Sequence, residues 1–234
     1  MSEKLSRGDC LKTAYAVTGI GAIEAEARRE KKPNVLFVMC DQMRFDTIAA
    51  LGNPHIRTPN FDRLVRRGIS FTNAYSTCPV CISARVPFLL SWPNRVAANE
   101  RRDELVCLTD LFGIATTAAG KPDLREGSDV LGMLEGGDQP RERAIGYYGV
   151  PGTNRFKVMV SESDWKYVFI ANGGREQLFD LKEDPNELHL VDVPDVTARL
   201  RNTAAAACTG VNVDRALDNG EVKTFTYERW ERGR

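Results

Sequence analysis

The chain has 234 residues, 42% of them hydrophobic, enough to bury one sizeable core or two small ones. Its 32 basic residues cancel its 32 acidic ones, so bulk charge directs it toward neither nucleic acid nor an anionic membrane surface. No run approaches the ~20 apolar residues of a membrane span, and six scattered cysteines in a chain of this length do not read as a disulfide framework.

Residues 1–30 read as a leader. Lys4 and Arg7 precede Cys10-Leu11-Lys12, a weakly apolar run extends from Thr13 to Ile23, and Ala25-Glu26-Ala27 has the small-x-small form of a cleavage site. The segment resembles a twin-arginine export signal, with Gly8 where the second arginine would stand. Two readings remain open: export to the periplasm, or a partly helical leader without an address on a cytoplasmic chain.

The fold is expected to begin at Pro33. Val35-Leu36-Phe37-Val38-Met39-Cys40 is a continuous apolar run ended by Asp41-Gln42, the pattern of a strand buried on both faces. Thr58 or Asn60 can cap a following helix in which Phe61, Leu64 and Val65 share one face and Gly68 closes the C-terminus. Ile69 to Tyr75 then alternates as a second strand. Strand, helix, strand is the βαβ unit of a parallel sheet, in which ligands bind beyond the carboxyl ends of the strands, where Asp41 and Gln42 stand. Taken singly these residues have plainer readings. Asp41-Gln42 can simply end a strand, His55 is a turn residue after Asn53-Pro54, and Arg66-Arg67 is a solvated helix face. Cys81 alone is a small buried hydrophobe, and Cys78-x-x-Cys81 has no second pair at zinc spacing.

Order makes these residues specific. Pro33-Asn34-Val35-Leu36-Phe37-Val38-Met39-Cys40-Asp41-Gln42, Gly52-Asn53-Pro54-His55, Thr58-Pro59-Asn60-Phe61-Asp62-Arg63-Leu64, Phe71-Thr72-Asn73-Ala74-Tyr75 and Cys78-Pro79-Val80-Cys81-Ile82-Ser83-Ala84-Arg85 follow one another. Together they resemble the N-terminal part of the sulfatase family, within the alkaline phosphatase superfamily. The resemblance implies that a formylglycine-generating enzyme or an anaerobic sulfatase-maturating enzyme oxidises Cys81 to formylglycine. Arg85 would then fix that nucleophile by charge-assisted hydrogen bonds. A hydrated aldehyde offers one hydroxyl to attack sulfur and a second to expel the sulfate. A divalent cation, calcium by the resemblance, would be held by Asp41, Gln42 and the modified Cys81. The implied substrate is an aryl or carbohydrate sulfate ester. Ser83 departs from the proline or alanine usual at its place in the motif.

The second half is similar to the late part of sulfatases. Arg85-Val86-Pro87-Phe88-Leu89-Leu90-Ser91-Trp92-Pro93 and Asp103 to Phe112 resemble the stretch after the active site, and Trp165 to Phe169 and Glu176 to Leu188 resemble the C-terminal subdomain. The alternating run at 165–170, the turn Asn172-Gly173-Gly174 and the run from Leu178 to Leu181 read as an antiparallel hairpin. Residues 192–207 read as a helix by propensity.

In the family, a long segment after the nucleophile supplies an Asp-His pair of metal ligands, a lysine and a histidine. Here Val86 follows Cys81 by five residues, a strand-like Val86 to Leu90 replaces the nucleophile helix, and neither His55 nor His189 matches a ligand position. A sulfatase-type hydrolase with an incomplete metal site is therefore expected. The alternatives are a phosphonate or phosphodiester hydrolase of the same superfamily and a catalytically dead fragment. Exposed apolar edges and oligomerisation belong to the same expectation. The expected fold is α/β: a reduced parallel-sheet core of alkaline-phosphatase/sulfatase type over 31–120, then a small α+β C-terminal subdomain over 121–234.

Overall fold

Helix α1, Pro59–Arg67, starts after Thr58 as the sequence predicts, with proline in its first turn. The Thr58 hydroxyl does not cap the helix. Its oxygen accepts from the Ala49 amide at 2.9 Å and donates to Asp62 Oδ1 at 2.8 Å, while Asp62 also accepts from the Ala50 amide at 3.0 Å. The first turn is thereby fastened to a 3-10 turn at Ala49–Leu51. Gly68 ends the helix in an extended conformation, and a Cβ there would lie 2.1 Å from the Leu90 carbonyl oxygen. A neighbouring strand, and not a left-handed helix cap, requires the glycine.

That neighbour belongs to a three-stranded sheet with β1, Ile69–Phe71, at its centre. β3, Phe88–Leu90, pairs with it antiparallel, and β4, Glu100–Arg102, parallel. β2, Ala74–Tyr75, continues from β1 and pairs parallel with β5, Val106–Cys107. The single strand expected over 69–75 is thus broken. Phe71 opposes Arg102 but Ala74 opposes Val106, so one extra residue is accommodated on the 103–105 side, as in a bulge.

The computed structural model describes residues 32–41, 43–78, 85–137, 139–162, 164–210 and 213–229. The leader expected over 1–30, Gln42, Cys81 and Ser83 lie outside the described residues. Within them, one expectation is corrected. The run from Val35 to Cys40 forms no buried strand: it is exposed throughout, with Leu36 at 85% and Met39 at 89%. β3 and β4 occupy both edges of β1, so the place beside β1 that a βαβ unit would give to this run is filled. Helix and second strand of the expected unit are present; the first strand is not.

Helices α2, Asp110–Ala118, and α3, Val130–Leu134, cover this core. Ile69, Phe71, Ala74, Phe88, Val106 and Ile114 are buried together, and Phe71 meets Phe88 edge to face at 5.5 Å. The second unit is a meander of β6, Ala144–Tyr148, β7, Lys157–Ser161, β8, Trp165–Ile170, and β9, Arg175–Asp180, with neighbours antiparallel. The hairpin expected at Asn172-Gly173-Gly174 joins β8 to β9, with both glycines at positive φ. Alternation along the strands sorts the two faces. Val158, Val160, Tyr167, Phe169 and Leu178 pack with Leu200, Ala204 and Cys208 of α4, Pro194–Gly210, the helix expected over 192–207. Met159, Val168, Ile170, Phe179 and Leu181 face the other way and bury Tyr75, Leu105 and Cys107 of the first unit. Each large side chain so buried contributes about 1.5–3 kcal/mol. A short hairpin of β10, Leu217–Asp218, and β11, Glu221–Val222, follows. Beyond it, Asn172 binds Glu228 in both directions, side-chain nitrogen to carbonyl and amide to side-chain oxygen, each at 2.8 Å. Among the described residues no helix is long and apolar enough to cross a membrane.

Candidate active site

The segment carrying the cysteine motif leaves the sheet at Tyr75 and returns at Arg85. Both ends are fastened. Tyr75 and Arg85 form an antiparallel bridge, and the Val86 amide donates to the Ala74 carbonyl at 2.9 Å. The Cys78 amide donates to the Ser76 hydroxyl at 3.2 Å, and Tyr147 of β6 donates its amide to the Thr77 carbonyl at 2.9 Å. Cys81, expected as the nucleophile, stands within this loop but outside the described residues, whereas Cys78 is exposed.

Arg85 joins the two units. Nε and Nη2 donate to the Thr72 carbonyl at 3.2 and 2.8 Å, and Nη1 donates to the Pro185 carbonyl at 2.5 Å. Thr72 lies in the break between β1 and β2, where its carbonyl faces a side chain instead of a ladder partner. The Phe45 ring lies 4.4 Å from the guanidinium carbon, bringing the chain just after Asp41-Gln42 onto the motif arginine. Nη1 and Nη2 each carry a second hydrogen, so the guanidinium can bind a further acceptor from this position.

Behind Arg85 is a buried polar corner. Lys166 of β8, with its side chain 0% exposed, forms an ion pair with Glu187, whose side chain is 2% exposed. Its ammonium lies 5.9 Å from the Tyr75 ring and 5.9 Å from the Phe179 ring. Burial pushes the Lys166 ammonium below its ordinary pKa, while Glu187 opposes the shift. Burial likewise raises the Tyr75 phenol. Ser161 pairs with Lys166 across β7 and β8 and is fully buried. Sequence reading missed this corner. Its signal was Lys166 itself, a charge in phase with Val168 and Ile170 on the inward face of a strand.

The expected cation site finds less support. Asp41 is exposed at the end of the unpaired run, and Gln42 is not described. His55 and His189 are both exposed; the His55 amide donates to Asn53 Oδ1, and His189 Nδ1 lies 3.4 Å from Asp184. Among the described residues no group of three or more His, Cys, Asp or Glu side chains is placed to hold a metal ion. Asp41 supplies one carboxylate, so the described side chains do not by themselves fit a hard cation, which draws its affinity from ligand charge and number.

Comparison with known proteins bears on this arrangement. The sulfatase family model matches residues 33–112, and the model of the N-sulphoglucosamine sulphohydrolase C-terminal region matches residues 81–206. An arylsulfatase of Clostridium perfringens is 45% identical over 58 residues, which are 25% of this chain and 12% of that protein. Human arylsulfatase K is 27% identical over 173 residues, covering 65% of this chain and 31% of that protein. The chain thus spans less than a third of the length of these relatives. A crystal structure provisionally described as a sulfatase from Bacteroides thetaiotaomicron superposes with a TM-score of 0.50 at 22% identity, over 61% of this chain and 33% of that one. That likeness concerns the fold, which is mixed α/β with small parallel pairings of the alkaline-phosphatase-like sulfatase type. With one match spanning the cysteine motif and the other continuing through the meander into α4, the chain belongs to the sulfatase family.

Proposed function

We propose that the chain is a sulfate-ester hydrolase, acting on aryl or carbohydrate sulfates through a formylglycine made from Cys81 by a maturating enzyme. The observation that carries the reading is the closed base of the 76–85 loop, where the Tyr75–Arg85 bridge holds the motif arginine between two carbonyls. Arg85, held at that base, meets a bound ester with little loss of its own freedom on reaction. Arg85 fixes the nucleophile and screens charge that develops on the transferred group. One hydroxyl of the hydrated aldehyde attacks sulfur as the alcohol leaves; the second then gives up its proton and expels sulfate, which restores the aldehyde. Asp41 and Gln42 are the cation ligands this reading assigns, with calcium as the metal. Since the described residues do not complete such a site, no step is assigned to the cation.

The test is hydrolysis of 4-nitrocatechol sulfate with added calcium, by protein co-expressed with a formylglycine-generating enzyme, against Cys81→Ala. Turnover that disappears in C81A is the expected result. Mass-confirmed aldehyde without turnover overturns the proposal and leaves a catalytically silent member of the family. Preference for an aryl phosphonate ester over the sulfate moves the reading to phosphorus.

A further inference from the structure

We propose that Glu187 is a positioning residue for Arg85: by anchoring the turn after β9 on Lys166, it fixes the Pro185 carbonyl that receives the guanidinium. The inference rests on the reading above in assigning Arg85 to the nucleophile loop. Its physical content is a chain of contacts that crosses between the two units.

The chain starts at β8. Lys166 is held there by ladder partners on both sides, Ser161 of β7 and Phe179 of β9, and its ammonium is enclosed by the rings of Tyr75 and Phe179. Glu187 meets it in full burial, although Lys182, Glu183, Pro185, Asn186, Leu188 and His189 around it are exposed. The side chain of Glu187 is therefore the turn's inward anchor. Its backbone is left-handed, with φ at 58°, a conformation that a non-glycine residue keeps only when its surroundings impose it. The surroundings do so from one side. Asp184 N donates to the Asp180 carbonyl at 2.8 Å, Glu187 N to the Asp184 carbonyl at 3.0 Å, and Leu188 N and His189 N to Asp184 Oδ2 at 2.6 and 2.7 Å. The turn is thus internally stiff, and the ion pair ties it to the sheet. Pro185, inside that turn, directs its carbonyl to Arg85 Nη1.

A buried ion pair is a weak route to stability, because desolvation offsets most of its attraction, but its geometry is exacting. Here that exactness is carried through two residues of stiff turn to the guanidinium beside the loop. Thr72 grips the same guanidinium from the first unit, so loss of the Glu187 anchor leaves Arg85 with one fixed hydrogen-bond acceptor in place of two.

Phenylglyoxal labelling of the full chain, followed by peptide mass mapping, reads the guanidinium directly. Arg143, whose side chain is 45% exposed, serves as the internal reference. Glu187→Ala is expected to label Arg85 about fivefold faster than the unaltered protein, and Glu187→Gln by a smaller factor, with Arg143 unchanged. Val158→Ala removes packing from the opposite face of the meander, and it is expected to lower the melting temperature while leaving Arg85 protected. The proposal is overturned if Arg85 in both Glu187 variants labels within about twofold of the unaltered protein, or if V158A raises it equally. If E187A does not fold, E187Q decides by the same criterion. Labelling needs no turnover, so a failed sulfatase assay leaves this result standing, and turnover with unchanged labelling defeats the positioning role alone.

Discussion

Arg141 Nη2 donates to Asp110 Oδ1 at 2.5 Å, and the Asp110 side chain is completely buried. The same carboxylate accepts the amides of Cys107 at 2.7 Å and Ser128 at 2.8 Å, so it closes the end of β5 and the approach to α3 at once. Asp110→Ala leaves the Arg141 guanidinium with the Ser128 hydroxyl but no carboxylate and strands two main-chain donors, with an expected loss of about 3–5 kcal/mol in urea unfolding. Asp110→Asn keeps the shape and is expected to lose less. A loss below about 1 kcal/mol for the alanine variant contradicts this account.

Helix α4 docks with a charge that titrates. Arg201 grips Glu176 through two hydrogen bonds of 2.7 and 2.6 Å, and the Tyr167 hydroxyl donates to the same carboxylate. Those bonds, with Arg201 foremost, hold the Glu176 carboxyl below its ordinary pKa. A depressed folded-state value means that the contribution is complete above the unfolded value of about 4.3 and is lost as pH falls through the folded one. The pair is partly exposed, which limits the effect to about 0.5–1 kcal/mol. Melting followed from neutral pH down into the acid range is expected to show this loss in the native chain and a flatter profile in Glu176→Gln.

The exposed run offers a different kind of test. Leu36 and Met39 are almost wholly in solvent, so L36K and M39K are expected to leave stability within about 0.5 kcal/mol. An unpaired apolar segment is also a template for strand pairing between chains, and the same variants are expected to reduce light scattering at high concentration. Strong destabilisation by either lysine contradicts the exposed placement.

Cysteine labelling separates surface from interior. Cys40 and Cys78 are exposed and are expected to react with iodoacetamide at once in the native protein. Cys107 and Cys208 are buried, and burial pushes each thiol up to about 11. Their alkylation is expected to be roughly a hundredfold slower and to appear only with unfolding. Mapping modified peptides by mass distinguishes the sites, and early modification of Cys208 contradicts the docking of α4.

What was legible in the sequence follows the range of the forces involved. The β8–β9 hairpin and α4 were readable because alternation, the Asn172-Gly173-Gly174 turn and helix propensity act between near neighbours. Val35 to Cys40 misled because a strand needs a free edge, and which chain occupies the edges of β1 is settled by residues 88–90 and 100–102, far along the sequence. The site divides in the same way. Asp41, Gln42, Cys81 and Arg85 came from a motif order, whereas Lys166 and Glu187 become partners only when a turn 21 residues away folds over the sheet.

The hydrogen bond from Arg85 to Pro185 joins residues 100 apart in the chain, and that separation has a meaning in time. At translation rates of about 5–20 residues per second, the motif arginine leaves the ribosome roughly 5–20 s before its acceptor does. Through that interval the loop base lacks its second grip, and Tyr75 lacks the meander that buries it. The closed base at Arg85 is therefore a property of the finished chain, completed only once the second unit has been made.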